Sequence, residues 1–149
     1  MIILVSNDDG IHSEGLHALE AALKAQPGNP DIINSLARLL ATASKDSVRD
    51  GARALQMAKG LYAPTDRDPV VGQTYAMALA ETGDFNGAVK LQRATLAASQ
   101  RLGAATADPF MTKNLALYQR RKSSREGWSA DDPIFQPRSP AARLVTKSP

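Results

Sequence analysis

The residues best suited to chemistry stand together near the start of the chain. Ser6-Asn7-Asp8-Asp9-Gly10 follows directly on the apolar run Ile2-Ile3-Leu4-Val5. Adjacent carboxylates at the carboxyl end of a hydrophobic strand are placed where open α/β sheets bind ligands. Two hard oxygen donors there suit Mg²⁺ or Mn²⁺. An ion so held would polarise a phosphoryl oxygen and lower the pKa of a bound water. Asp8 and Asp9 are therefore the candidate metal ligands. With only two carboxylates the ion falls short of its usual oxygen shell, so weak binding is expected. The alternative is a polar strand-to-helix loop whose acids favour the positive end of the following helix. His12 and His17 are off the i, i+4 spacing of a helical metal pair and read as exposed polar residues near a helix start. The chain has no Cys, which excludes disulfides, thiolate ligands and cysteine nucleophiles.

The elements that would carry these residues are uneven in texture. Ile2 to Val5 is apolar on both faces and mostly β-branched, as a central parallel strand is. Residues 6–10 form a turn cluster, and Ser13 is the expected N-cap of a helix presenting Leu16, Leu19, Ala22 and Leu23 on one side. No second convincing strand follows, so residues 1–26 read as a strand-loop-helix remnant of an α/β fold. Residues 29–122 are helical in pattern, with apolar faces at Leu36/Leu39/Leu40, Ala54/Leu55/Ala58/Leu61, Tyr75/Ala76/Leu79/Ala80 and Ala88/Val89/Leu91/Leu96. Breaks are expected at Ser44–Asp46, Pro64–Pro69 and Gly83-Asp84, and a further helix start at Asp108-Pro109. Residues 123–149 hold four of the nine prolines without periodicity and are expected to be a disordered tail.

Composition narrows the function classes. The chain has 149 residues, 43% hydrophobic and 22% charged, as one ordinary domain does. Aromatic residues are 5%, so the core must be built from Leu and Ala. The net charge of +3 is concentrated from Gln119 onward, where seven basic residues meet three acidic ones. The basic character thus belongs to the tail rather than to a folded nucleic-acid-binding face. The opening apolar run is too short to cross a bilayer and makes a poor signal peptide, so a cytoplasmic chain without membrane partners is expected.

Two resemblances add to this reading. Ile-Leu-Val-Ser-Asn-Asp-Asp-Gly-Ile-His and then Gly15-Leu-His-Ala-Leu are similar to the opening strand, metal loop and first helix of the SurE survival-protein family. That family comprises metal-dependent phosphatases of nucleoside monophosphates. The resemblance implies that Asp8 and Asp9 are metal ligands and that Asn7 lies beside the phosphate. It covers Met1 to about Lys24, and Ser13-Glu14 departs from the family's usual Ala-Pro. The family's later Ser-Gly-rich segment and its Asn-bearing metal loop are not found. The second resemblance is to tetratricopeptide (TPR) repeats. Ala54 and Ala88 stand 34 residues apart, Gly83-Asp84-Phe85 makes the expected turn, and Ala88 is the tight-packing alanine. Gly72 stands where a bulky residue is usual and Thr95 where an alanine is common. The first unit carries about five extra residues around Thr42–Asp50 relative to the second.

The expected fold is therefore mainly α: two TPR-like hairpins with a capping helix, preceded by the SurE-like fragment 1–26 and followed by the tail. The expected function is a protein- or peptide-binding scaffold, inactive in hydrolysis by itself. The alternative is a metal-dependent 5′-nucleotidase using Asp8 and Asp9 on Mg²⁺ or Mn²⁺. Two units are fewer than a solenoid usually needs, so the first helix is expected to pack on the first unit or the chain to form a homo-oligomer. Lys59, Lys90 and Arg93 are candidates to line a groove for a partner carboxylate, or else a solvated helix face. Trp128 is a candidate docking residue, or else an unpacked tail residue. Asp46, Asp50, Asp66 and Asp68 are expected to be caps and turns.

Overall fold

A computed structural model describes residues 9–63, 65, 67–104 and 108–129, with the backbone alone over 9–13. Among the described residues the chain is helical: α1 (Asp9–Ala25), α2 (Pro30–Thr42), α3 (Gly51–Leu61), α4 (Pro69–Glu81), α5 (Phe85–Arg101) and α6 (Pro109–Gln119). None of the described helices is long and apolar enough to cross a membrane. The expected strand at residues 2–5 lies outside the described residues.

The helix starts follow an alternating chemistry. Asn29-Pro30, Asp68-Pro69 and Asp108-Pro109 open α2, α4 and α6. In each, the cap side chain accepts from a backbone N–H of the first turn, and proline occupies the position whose missing N–H costs nothing. Asp50 and Asp84 open α3 and α5, each accepting from the N–H three residues on, at Arg53 and Gly87. The expected caps Asp50 and Asp68 are thus caps. Asp46 lies in a turn, as expected, and pairs with Arg49, and Asp66 lies outside the described residues. The expected breaks fall between α2 and α3, between α3 and α4, and between α4 and α5.

Two boundaries differ from the sequence expectation. The helix expected from Ser13 begins at Asp9, so the backbone of Asp9 and Gly10 is helical rather than part of a turn. The expected tail does not begin at 123. Residues 123–129 pack on the helices, while 130–149 lie outside the described residues. Composition misreads this segment because its seat is made of polar and charged contacts rather than of its own apolar periodicity.

Neighbouring helices pack in chain order, and α4 also packs on α2. α4 is accordingly covered almost all round. Met77 and Ala78 join a cluster with Leu36, Leu39, Leu40 and Ala54, while Ala76 and Ala80 join Ala88 and Tyr118. A helix apolar on every side belongs in the middle of a stack. Alanines at these contacts let the helices approach closely, and each fully buried leucine contributes about 1.5–3 kcal/mol. Leu19 of α1, with Leu16 and Leu23 beside it, packs into the first cluster, so the first helix does cover α2 as expected. Its Glu20 is bound by both terminal guanidinium nitrogens of Arg53 on α3. The bond to Arg53 holds the Glu20 carboxyl below its ordinary value, against the opposing effect of burial.

The two departures from the repeat pattern face each other. A Cβ built at Gly72 would stand 2.5 Å from Thr95 Oγ1. The missing side chain on α4 makes room for the larger one on α5.

The extra residues between α2 and α3 form an ordered loop with Val48 buried. Arg49 clasps it, donating to Ala43 O at 2.6 Å, Ser44 O at 3.2 Å and Glu81 Oε1 at 2.8 Å, and pairing with Asp46. Burial opposes the Arg49 charge, but its bonds to Asp46 and Glu81 outweigh that and raise its pKa.

Candidate functional site

The expected metal residues are not brought into a described site. Asn7 and Asp8 lie outside the described residues, as do the side chains of Asp9 and His12. His17 is exposed on α1. Among the described residues no three or more His, Asp or Glu side chains gather as a group that could hold an ion.

The candidate cations separate. Lys90 and Arg93 of α5 meet Phe85, Val89 and Arg121 around a cleft of about 550 Å³ beside the end of α6. Arg121 lies 5.3 Å over the Phe85 ring, an attractive cation–π arrangement. Lys59 lies on α3 and is not part of this cleft.

The most developed polar constellation lies across α2 and α4. Arg38 sits between Leu36 and Leu39 in sequence, yet it is 5% exposed. Its Nε donates to Thr74 Oγ1 at 3.0 Å, Nη2 to Val70 O at 2.8 Å and Nη1 to Gly127 O at 3.4 Å. Its guanidinium carbon is 6.0 Å from the centre of the Trp128 ring. A buried guanidinium is tolerable because several acceptors replace its water and its planar face suits an aromatic ring. Thr42, one turn further along α2, donates to the Arg38 carbonyl at 2.8 Å.

Glu81, the last residue of α4, closes the other end. Its Oε2 accepts from Arg125 Nη1 at 2.7 Å while Oε1 holds Arg49. One carboxylate therefore ties the α2–α3 loop, the end of α4 and the segment after α6 together.

That segment is laid along this face by specific contacts. α6 ends with Arg121 in the left-handed region (φ 59°), and Lys122 N donates back to Leu117 O at 2.9 Å, which turns the chain back. Ser123 Oγ donates to Ala80 O at 3.1 Å. Ser124 is buried, and its hydroxyl donates to Glu126 O at 2.9 Å and accepts from Glu126 N at 3.3 Å. Lys113 of α6 holds the Glu126 carboxylate at 3.0 Å. Gly127 presses so close that a Cβ there would stand 2.8 Å from Thr42 Oγ1. Trp128 then packs on the leucine cluster. The unpacked alternative for Trp128 is thereby corrected: the ring has a seat on Arg38.

Tyr118 of α6 is also buried, and burial raises its phenol pKa, with the Arg38 charge acting the other way. Its hydroxyl has no hydrogen-bond partner among the described residues. Beyond Arg38, a pocket of about 280 Å³ opens between the starts of α2 and α4, lined by Asp31, Asn34, Tyr62, Asp68 and Val70. Asn34 Oδ1 is buried without a partner among the described residues.

Sequence reasoning misses Arg38 and Glu81. A signal is present for the first: Asn34, Arg38 and Thr42 form an i, i+4 polar stripe beside the leucines of α2. Nothing local marks Glu81. Compared with known proteins, the chain matches no family model, no curated protein and no solved structure.

Proposed function

We propose that this chain is a cytoplasmic protein-interaction scaffold of TPR-like repeats. On this reading α2–α3 and α4–α5 are two helical hairpins, α6 is the cap, and α1, the described part of the SurE-like opening, packs on the first hairpin. The packing of α4 on α2 and α3 of one pair and on α5 of its own is the observation that supports it. Stacked helical units contact only their neighbours and leave one continuous face for an extended ligand. The recurrence of a cap-proline start at every second helix fits the same unit. The face of Arg38, Val70 and Glu81 is the binding surface, because there Arg38 gives one donor to a main-chain carbonyl and its plane to a ring while Glu81 takes a cation.

A photo-cross-linking residue placed at Val70, which is 51% exposed on this face, tests the reading against the same residue at Leu102, 76% exposed beyond α5. A discrete adduct at 70 and none at 102 is the expected result in cells. Purified chain given nucleoside monophosphates with Mn²⁺ or Mg²⁺ supplies the opposite outcome. Metal-dependent turnover abolished by Asp8→Ala, with no adduct at 70, would replace the scaffold by a nucleotidase.

A further inference from the structure

The segment 123–129 touches the α2–α4 face as a bound peptide would. It gives a main-chain carbonyl to Arg38, a ring to the same guanidinium, a cation to Glu81 and a bare backbone to Thr42. We propose that this segment is a built-in competitor for the face, and that the external ligand it yields to is an extended peptide with a basic residue followed two positions on by glycine and then an aromatic. The proposal rests on the scaffold reading and names the partner class of that same surface.

Each element of the motif comes from one contact. Glu81 is 15% exposed, and Arg125 reaches it from a position 42% exposed, so the pair is accessible enough to exchange with another cation. Thr42 excludes a side chain at the glycine position because its hydroxyl is committed to the Arg38 carbonyl and cannot swing away. Arg38 accepts an aromatic ring because its charge is fixed from below by Thr74 and Val70. Removing the segment would take from Arg38 the Gly127 carbonyl and the Trp128 ring, the two contacts that a ligand would replace.

The linkage makes the competition strong. The segment follows α6 after a single turn, so its effective concentration at the face is on the order of 1 mM. If its intrinsic dissociation constant is on the order of 100 μM, an external peptide binds the closed chain about tenfold more weakly than an opened one.

The test uses the full chain and a fluorescein-labelled peptide of residues 122–129 carrying Trp128→Phe. Fluorescence anisotropy should give about tenfold tighter binding to the Arg125→Ser, Trp128→Ala double variant than to the unaltered chain, and adding Glu81→Gln should remove that gain. Equal affinity for the two chains, or equal binding of a scrambled peptide, overturns the proposal. So does a variant that dimerises in sedimentation instead of taking the peptide, since a second copy would then be the occupant. A second measurement needs no substitution. Trp128 is the sole tryptophan, and unlabelled peptide at millimolar concentration should raise its acrylamide quenching toward that of free N-acetyltryptophanamide. Unchanged quenching makes the segment a structural strap and sinks the competitor, while a cross-link at position 70 would leave the scaffold reading standing.

Discussion

Replacing Gly72 by alanine sets a methyl group on α4 against Thr95 of α5. The new Cβ would stand 2.5 Å from Thr95 Oγ1 and 3.2 Å from its Cγ2. Thr95 cannot swing aside: it is 4% exposed and its hydroxyl donates to Leu91 O at 2.8 Å. Overpacking of this kind costs about 2 kcal/mol, and alanine for glycine inside a helix returns about 1 kcal/mol. Gly72→Ala should therefore destabilise the chain by about 1 kcal/mol. Thr95→Ala alone opens a small gap and should cost about 0.5 kcal/mol after its gain in helix propensity. In the double variant the methyl group added at position 72 fills the vacated space, and both propensity gains remain. That chain should be more stable than the parent by about 1 kcal/mol, a coupling of about 2.5 kcal/mol between the two sites. Urea unfolding followed by far-ultraviolet circular dichroism measures all four chains. A coupling below about 0.5 kcal/mol would refute the claim that these two residues define the approach of α4 to α5.

Three further outcomes are expected. Tyr118→Phe should be neutral or stabilising by up to about 1 kcal/mol in the same unfolding assay, because the buried hydroxyl has no partner to lose among the described residues; a loss above about 1 kcal/mol would reveal a bond that the packing does not show. The Glu20 carboxyl is held below 4.5 by Arg53, so its contribution to stability is present above that pH and is lost as pH falls through the lower folded value. Glu20→Gln should cost stability near neutrality and converge on the parent in acid; a difference that grows on acidification reverses the sign and refutes it. Arg121→Gly should relieve a left-handed backbone strain of about 1 kcal/mol while losing the contact with Phe85, worth about 0.5–1 kcal/mol, leaving stability nearly unchanged. A loss of about 2 kcal/mol would mean that the guanidinium carries more than that one contact.

Much of the helical layout is legible in the chain. The cap and proline pairs at Asn29-Pro30, Asp68-Pro69 and Asp108-Pro109 act within one turn of backbone, and the spacing of Leu36, Leu39 and Leu40 names a buried face without knowledge of what covers it. Such signals are local, so they survive in one dimension. The start of α1 is not legible in the same way, because Asp9 and Gly10 suit a turn as well as a helix start.

The proposed binding face is different in kind. Arg38 is held by Thr74, 36 positions away, and by Gly127, 89 positions away. Arg125 finds Glu81 across 44 positions. Lys90 and Arg93 share a cleft that Lys59 does not, although all three look alike in the sequence. Periodicity and capping determined which residues are helical and which sides are apolar. Only the packing of α2 on α4, and of α6 beyond α5, decided that a buried arginine, a terminal glutamate and a polar segment after the last helix meet, because ion pairs and ring contacts act over a few ångströms of space whatever their separation along the chain.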